Sequence, residues 1–141
     1  LRFYREQLSA FQMGLEDRMK MKVGLLSGGQ RQALTLLMAT IAHPKLLLLD
    51  EHTAALDPAT AEKVMAITVQ IVREQKIPTM MITHNMGQAL TTGNRTIMMD
   101  AGQIILDIAG DERAEMTVPK LMTMYSGARG KELDNDRMLL A

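Results

Sequence analysis

The sequence contains no cysteine and no tryptophan, and only two tyrosines and two phenylalanines among its 141 residues. Without cysteine the chain can form neither a disulfide framework nor a zinc–thiolate site. Its histidines, His43, His52 and His84, are widely spaced and do not make a metal-ligand cluster. These absences exclude small disulfide-bonded domains and structural zinc domains.

An excess of charge of either sign is also lacking, since 16 Lys and Arg balance 16 Asp and Glu. A balanced charge gives no bulk electrostatic reason to bind a polyanion. The longest apolar stretches are far shorter than the roughly 18 residues of a membrane-spanning helix, and no signal-peptide pattern opens the chain. At 47% hydrophobic and 23% charged residues, the composition is typical of a globular domain that is soluble or at most peripheral to a membrane.

The first third of the chain predicts two helices and a loop. Apolar residues recur at spacings of three and four at Leu1, Tyr4, Leu8 and Phe11. This pattern indicates an amphipathic helix over 1–13, ended by Gly14. Residues 24–29 hold three glycines and a serine and predict a loop. Residues 30–42 are almost all apolar or small, so we expect a helix that is enclosed on most sides and stopped by Pro44.

The middle of the chain predicts a strand, a helix and a second strand. Residues 45–50 form a leucine run that ends in an acid, which is typical of a strand buried on both faces of a parallel sheet. Asp57 and Pro58 supply an N-cap and a first helical residue for a helix to about Gln75. We expect six of its side chains to face inward: Ala61, Val64, Met65, Thr68, Ile71 and Val72. With a strand over 78–83, these elements predict a right-handed crossover unit.

The remaining residues predict a hairpin, a short helix and a tail. Residues 96–99 and 103–106 flank Asp100-Ala101-Gly102 and predict a short antiparallel hairpin. Residues 117–125 predict a last short helix. Residues 126–141 are rich in charge and glycine and predict a loose tail.

Three titratable side chains follow the two predicted parallel strands, Asp50 and Glu51 after the first and His84 after the second. Ligands bind outside the carboxyl ends of such strands. Asp50 suits a magnesium site, Glu51 is placed to orient and deprotonate an attacking water, and His84 to donate to a terminal phosphate oxygen. The alternative is that the two acids only solvate a strand end and that His84 caps the next helix.

Residues Leu26-Ser27-Gly28-Gly29-Gln30 form a second candidate site at the start of a predicted helix. The glycines leave backbone amides unobstructed by side chains, and the helix dipole favours negative charge at this end. The segment therefore predicts an anion-binding loop. The alternative is a cap and a turn without a ligand.

Four segments, in their order and spacing, resemble the motifs of ATP-binding cassette (ABC) ATPases. LSGGQ at 26–30 resembles the signature motif, and LLLLDE at 46–51 resembles the Walker B strand with its catalytic glutamate. AALD at 54–57 resembles the D-loop, and Thr83-His84 the switch histidine. The resemblance covers residues 1 to about 106 and implies an α/β fold of the P-loop NTPase ABC type.

The resemblance implies that ATP and Mg²⁺ bind between two subunits in a head-to-tail dimer. Asp50 would hold the metal, and Glu51 and His84 would be the catalytic residues. The nucleotide-binding residues of this chain would be Leu26, Ser27, Gly28, Gly29, Gln30 and Asp57, with Asp57 also linking the two sites.

Two features depart from the family pattern. The phosphate-binding sequence G-x-x-x-x-G-K-[ST] is absent, and the nearest imitation, at 127–132, has the wrong glycine spacing. In the family this loop precedes the signature motif, so we expect a carboxyl-terminal part of a nucleotide-binding domain that lacks the N-terminal core and is inactive alone. His52 stands where many relatives carry proline; it is either a packing or water-contact residue or a second imidazole near the phosphates.

The resemblance also divides the chain into the end of a helical subdomain (1–25), a carboxyl-terminal part of the nucleotide-binding domain (26–125) and a tail (126–141).

Its finer likeness is to ATPase components of bacterial importers, including those for amino acids. This implies a second nucleotide-binding subunit (a homodimer), a membrane permease and an extracytoplasmic substrate-binding protein as partners, no nucleic acid, and a cytoplasmic position at the inner face of the membrane. The alternatives are a soluble ABC ATPase of DNA repair or translation, and a binding module without catalysis.

Overall fold

The computed structural model describes residues 1–127, which divide into two compact units, one ending at Ile82 and the other beginning at Thr83. The first unit contains α1 (Arg2–Ser9), α2 (Gly28–Thr40), β1 (Leu47–Asp50), α3 (Pro58–Gln75) and β2 (Thr79–Ile82). The second contains α4 (Met86–Thr91), β3 (Arg95–Asp100), β4 (Gln103–Ala109), α5 (Gly110–Ala114) and a last helix, α6, over 118–127. Most of the predicted tail, 128–141, lies outside the described residues.

Helix α1 is shorter than its sequence pattern predicted. It ends at Ser9, and Gly14, with φ +68°, lies in the following loop rather than at the helix end. Of the predicted apolar face, Leu8 and Phe11 are buried, whereas Leu1 and Tyr4 are exposed. Leu8 and Phe11 pack with Leu26 of the loop before α2, so the core of this segment forms from turns as much as from the helix.

Helix α2 begins at Gly28, two residues before the predicted start, because Ser27 caps it. The Ser27 hydroxyl accepts a hydrogen bond from the Gln30 N–H at 3.3 Å, and the Gln30 side chain accepts one from the Ser27 N–H at 3.0 Å. This reciprocal capping box satisfies two backbone donors of the helix end. The prediction that α2 is enclosed on most sides is wrong. One face is buried, but Met38 is 69% exposed, since the described neighbours of α2 pack against only one side.

Strands β1 and β2 pair in parallel, with Leu47 opposite Thr79 and Asp50 opposite Ile82. The predicted strand–helix–strand unit is therefore present. The prediction that β1 is buried on both faces is wrong. Leu47 packs into a core cluster with Leu36 and Ile77, but Leu48 is 66% exposed.

The open face continues on the neighbouring strand, where Met80 and Ile82 are 58% and 56% exposed. Side chains alternate between the two faces of a strand, and among the described residues only one face of this two-stranded sheet carries packed side chains. The leucine run indicated a strand correctly but did not indicate how many of its faces the neighbouring elements cover.

Helix α3 follows its prediction closely. Asp57 caps it, Pro58 is its first residue and Gln75 its last. Lys76 then takes a left-handed conformation with φ 53°, which ends the helix. Val64 and Thr68 are buried, and the other four residues expected to face inward are half-buried.

The second unit is built on the predicted hairpin. Strands β3 and β4 are antiparallel and longer than expected, and Ala101 and Gly102 both have positive φ in the two-residue turn between them. Its core cluster contains Leu106, Ile108 and Leu121, and the last of these belongs to α6. The predicted last helix is therefore present, and it begins one residue later than expected.

We predict that Gly29→Ala destabilises the chain by about 1–3 kcal/mol, the range for overpacking a filled site. A Cβ at position 29 would overlap Cγ2 of Thr60 on α3. Thr60→Ser removes that methyl group, so the double variant Gly29→Ala/Thr60→Ser should recover most of the loss. Urea denaturation of the four proteins forms a double-mutant cycle that measures the coupling.

The matched control is Gly24→Ala, because a Cβ at position 24 would meet no atom within 4 Å. Its free energy of unfolding should stay within about 0.5 kcal/mol of the wild type. A double variant no more stable than Gly29→Ala alone would contradict the proposed contact.

Candidate functional site

The carboxyl ends of β1 and β2 lie side by side. They position Asp50 and Glu51. The Glu51 N–H donates to the Ile82 carbonyl at 3.0 Å, which extends the strand pairing by one bond. Asp50 is exposed, and its carboxylate makes no hydrogen bond or ion pair within residues 1–127. Glu51 is half-buried and has φ 45°, so the chain turns sharply there. The two acids therefore differ in burial, and the reversal of the backbone falls at the second.

Two tight turns lead from Glu51 to α3. The Ala54 N–H donates to the Glu51 carbonyl at 2.9 Å, and the Leu56 N–H to the Thr53 carbonyl at 3.2 Å. Asp57 then accepts a hydrogen bond from the Thr60 N–H at 3.0 Å. A side-chain hydrogen bond with Thr60, and after it this backbone bond, lower the pKa of the Asp57 carboxyl, which is fully exposed. Asp57 thus remains an anion at the helix N-terminus, where negative charge is favoured.

The loop before α2 leaves backbone donors available. The capping box occupies the N–H groups of Ser27 and Gln30. Within the described part of the chain, the N–H groups of Gly28 and Gly29 have no hydrogen-bond acceptor. Two such donors at the positive end of a 13-residue helix can bind an anionic oxygen. Capping and anion binding are therefore compatible, because they use different donors.

Two of the residues predicted to bind nucleotide have side chains engaged within the protein. Leu26 is buried in the core cluster that also contains Leu8 and Phe11. The Gln30 side chain accepts from Ser27 and also donates through Nε2 to the Met13 carbonyl at 2.9 Å. Their side chains hold the loop in place, so any contact with a ligand would come from their backbones.

The structure brings the N-terminal ends of α2 and α3 together. A Cβ built on Gly28 would lie 3.2 Å from Leu56 Cδ2, and one on Gly29 would overlap the Thr60 side chain. Side chains larger than hydrogen would therefore push the two helices apart. The glycines were predicted for their exposed amides, but their small size also permits this close packing.

His84 lies in the second unit, in a bend two residues after β2 ends. The alternative that it caps the next helix is wrong, because Asn85 is the N-cap of α4 and its Oδ1 accepts from the Gln88 N–H at 3.0 Å. The spacing Asn85-x-x-Gln88 resembles a capping box and could have revealed this cap.

His52 packs against α3. Its Nε2 lies 3.1 Å from the hydroxyl of the buried Thr68, and that hydroxyl donates to the Val64 carbonyl at 2.8 Å. Because the single hydroxyl hydrogen is already used, Nε2 must carry the hydrogen and donate. Burial lowers the pKa of His52. These contacts favour the packing interpretation over a second imidazole near the phosphates, and nothing in the sequence pattern pointed to Thr68 as its partner.

The side chains of residues 1–127 that could bind a metal fit one kind of metal site only. Within residues 1–127 no three His, Cys, Asp or Glu residues are grouped so that they could hold a metal. Mg²⁺ does not require such a cage, since it is often bound through one or two carboxylates with water and substrate phosphates. The exposed Asp50 carboxylate at the end of β1 suits that mode. No helix in this range is both long and apolar enough to cross a bilayer.

Comparison with known proteins decides the family. Residues 4–54 match the profile of the family described as ABC transporter. Residues 4–54 therefore belong to the ABC transporter family. The match includes the LSGGQ loop and the whole of β1 with Asp50 and Glu51.

Curated relatives of this chain are named for transport or import. The chain is 46% identical over 121 residues to the tyrosine transport ATP-binding protein of Clostridioides difficile, covering 86% of this chain and 48% of the relative. It is 42% identical over 93 residues to the methionine import ATP-binding protein MetN 1 of Pseudomonas putida, covering 66% and 28%. The chain spans about half the length, or less, of the curated relatives it matches.

A solved structure agrees with the fold. An ABC transporter in an inward-facing conformation matches with a TM-score of 0.69 at 27% identity, covering 86% of this chain and 46% of the other. The parallel β1–α3–β2 unit is thus part of a P-loop NTPase fold of the ABC type.

We predict a pH dependence of stability that comes from His52. Its pKa is lowered in the fold, so the unfolded chain binds more protons below the ordinary histidine value of about 6.5. The stabilisation is present above that pH and is lost as the pH falls through the folded pKa. His52→Gln should therefore flatten the dependence of urea midpoint on pH between about 7 and 5.

His43→Asn is the matched control. His43 is exposed and has φ 48°, a conformation that asparagine tolerates. This variant should keep the wild-type pH dependence, and an equal slope in His52→Gln and the wild type would contradict the assignment.

Proposed function

We propose that this chain provides the signature loop and the catalytic strand end of an ATP-hydrolysing subunit that powers an ABC importer. The observation that carries the proposal is the end of α2, where the Gly28 and Gly29 amides have no acceptor among the described residues beside a capped α3. The names of the relatives support ATP binding and transport, and the name of the methionine relative supports import. They favour a transport role over DNA repair or translation and over a binding module without catalysis.

The signature loop would bind the terminal phosphate of an ATP held mainly by a second subunit. Gly28 and Gly29 would donate their N–H groups to γ-phosphate oxygens, since the capping box leaves these two donors unused. Ser27 would add its hydroxyl hydrogen, because in the capping box that hydroxyl acts as an acceptor. Asp57 would link the two nucleotide sites across the dimer.

The strand end would supply the chemistry. Glu51 would take a proton from a water molecule as its oxygen bonds to the γ-phosphorus, while the bond to the β–γ bridging oxygen breaks and ADP leaves. His84 would donate a hydrogen bond to a γ-phosphate oxygen. Asp50 would hold Mg²⁺, directly or through water, and the metal would neutralise charge on the phosphates.

The same proposal covers partners and location. We infer a homodimer of nucleotide-binding subunits at the inner face of the cell membrane, with a permease above it and an extracytoplasmic binding protein delivering the solute. Residues 1–25 would be the end of the helical subdomain that lies against the permease, and 26–125 the remainder of the nucleotide-binding part. The likeness to a tyrosine transport protein makes amino acids the class of solute to test first.

We predict opposite effects on dimerisation from two variants that both abolish turnover. In a complete nucleotide-binding subunit that carries this sequence, Glu51→Gln removes the base but spares ground-state binding, so ATP should trap a closed dimer. Ser27→Arg places a bulky cation where the partner's nucleotide must approach, so ATP should leave the subunit monomeric. ATPase rates and size-exclusion chromatography with ATP measure both effects.

Two exposed residues provide matched controls. Glu62→Gln on α3 and Ser9→Arg at the end of α1 repeat the chemical changes away from the proposed site, and both should keep wild-type turnover. Normal turnover of a monomeric Glu51→Gln protein would overturn the assignment of the base.

A further inference from the structure

The backbone on both sides of His84 is tied to one residue of the next helix. Thr83 precedes His84 and donates from its hydroxyl to Gln88 Oε1 at 3.2 Å. Asn85 follows His84 and accepts through Oδ1 from the Gln88 N–H at 3.0 Å. Gln88 therefore contacts both neighbours of His84 along the chain, with its side chain on one and its backbone on the other.

A third hydrogen bond closes these contacts into a ring. The Asn85 N–H donates to the Thr83 hydroxyl oxygen at 3.1 Å. Each of Thr83, Asn85 and Gln88 thus bonds to the other two, and His84 is the residue that the ring spans. A hydroxyl that donates and accepts at once is restricted to a narrow range of orientations. The ring consequently limits the backbone freedom of the bend in which His84 lies.

Room for the ring depends on Gly87. A Cβ at position 87 would lie 3.2 Å from Asn85 Oδ1, closer than most Cβ contacts in proteins. The glycine therefore leaves Asn85 free to hold the position from which it accepts the Gln88 N–H. Gln88 itself is half-buried, and its side chain is not needed for the cap, which uses only its backbone. The side-chain bond to Thr83 is an additional restraint.

The ring would restrain little if α4 were loose, because a helix of six residues is not stable by itself. Arg113 fixes its far end, donating to the carbonyls of Thr92 at 2.8 Å and Ala89 at 3.4 Å. The Thr96 hydroxyl also donates to the Ala89 carbonyl at 2.6 Å. A guanidinium at a helix C-terminus satisfies unpaired carbonyls and opposes the helix dipole.

The face of α4 adds a hydrophobic contact. Met86 and Leu90 pack against the core cluster of Leu106, Ile108 and Leu121. Helix α4 is therefore held at its end by Arg113 and along its side by the core of the second unit. Gln88 lies between these contacts, so its own position is fixed. Its hydrogen bonds to Thr83 and Asn85 can therefore position the backbone around His84.

We propose that Gln88 is a positioning residue for His84: its carboxamide oxygen holds Thr83 and thereby sets where the imidazole meets the γ-phosphate. This inference rests on the proposed function of His84. The restraint acts on orientation, so its loss should lower kcat for ATP hydrolysis and leave the KM for MgATP almost unchanged.

The test compares two substitutions in the complete nucleotide-binding subunit. Gln88→Leu removes the acceptor for Thr83 but keeps the backbone N–H that Asn85 caps. Gln88→Glu keeps an acceptor oxygen at the same place, now on a carboxylate. We expect kcat to fall about tenfold in Gln88→Leu, the scale of one lost hydrogen bond, with KM within about twofold. Gln88→Glu should recover most of the rate.

A second pair tests the other end of the bond. Thr83→Ser keeps the hydroxyl and should keep most of the rate, whereas Thr83→Val should reproduce the loss in Gln88→Leu. Gln70→Leu, an exposed helical glutamine on α3, is the control for the chemical change. The melting temperature of each variant separates a loss of positioning from a loss of folded protein.

Three results would overturn the inference: unchanged kcat in Gln88→Leu, equal losses in Gln88→Leu and Gln88→Glu, or a loss fully explained by unfolding. His84→Ala distinguishes these failures from failure of the proposed function, since it should cost about 100-fold. If His84→Ala reduces turnover and Gln88→Leu does not, only the positioning role is wrong. If His84→Ala leaves turnover unchanged, the phosphate contact assigned to His84 is wrong and the positioning role falls with it.

Discussion

The close approach of α2 to α3 at Gly29 and Thr60 is the contact on which the first unit depends. It joins the N-terminal ends of the two helices, one capped by Ser27 and the other by Asp57. A helix end needs partners for its free N–H groups, and here side chains satisfy some of them while two glycine amides remain available. The same glycines therefore permit the packing and leave the donors on which the proposed phosphate contact relies.

Much of the fold followed from short-range rules that the sequence states directly. Asp57-Pro58 marked the start of α3, and Asp100-Ala101-Gly102 marked the hairpin turn, because each depends on local backbone chemistry. Burial was predicted less well. The leucines of β1 indicated a strand, but whether Leu48 is covered depends on elements elsewhere in space, and no local pattern reports them.

The candidate site shows the same division. Asp50, Glu51 and the glycine loop could be found because carboxylates after a strand and glycines before a helix have general chemical meanings. The Thr68 partner of His52 and the Gln88 contact with Thr83 could not be found in this way. Both are side-chain hydrogen bonds whose geometry exists only once the helices have formed. The sequence holds many other threonines and glutamines, and nothing in their local sequence distinguishes these two from the rest.

The open face of the β1–β2 sheet affects how the chain behaves at high concentration. Leu48, Met80 and Ile82 form a strip of exposed apolar side chains on two short strands, with no charged residue among them except Asp50 at the end of β1. An exposed apolar strip attracts other apolar surfaces, and unpaired strand edges add hydrogen-bonding groups to that attraction. Within residues 1–127 this strip favours association between copies of the chain, so charged substitutions at Met80 or Leu48 should raise its solubility.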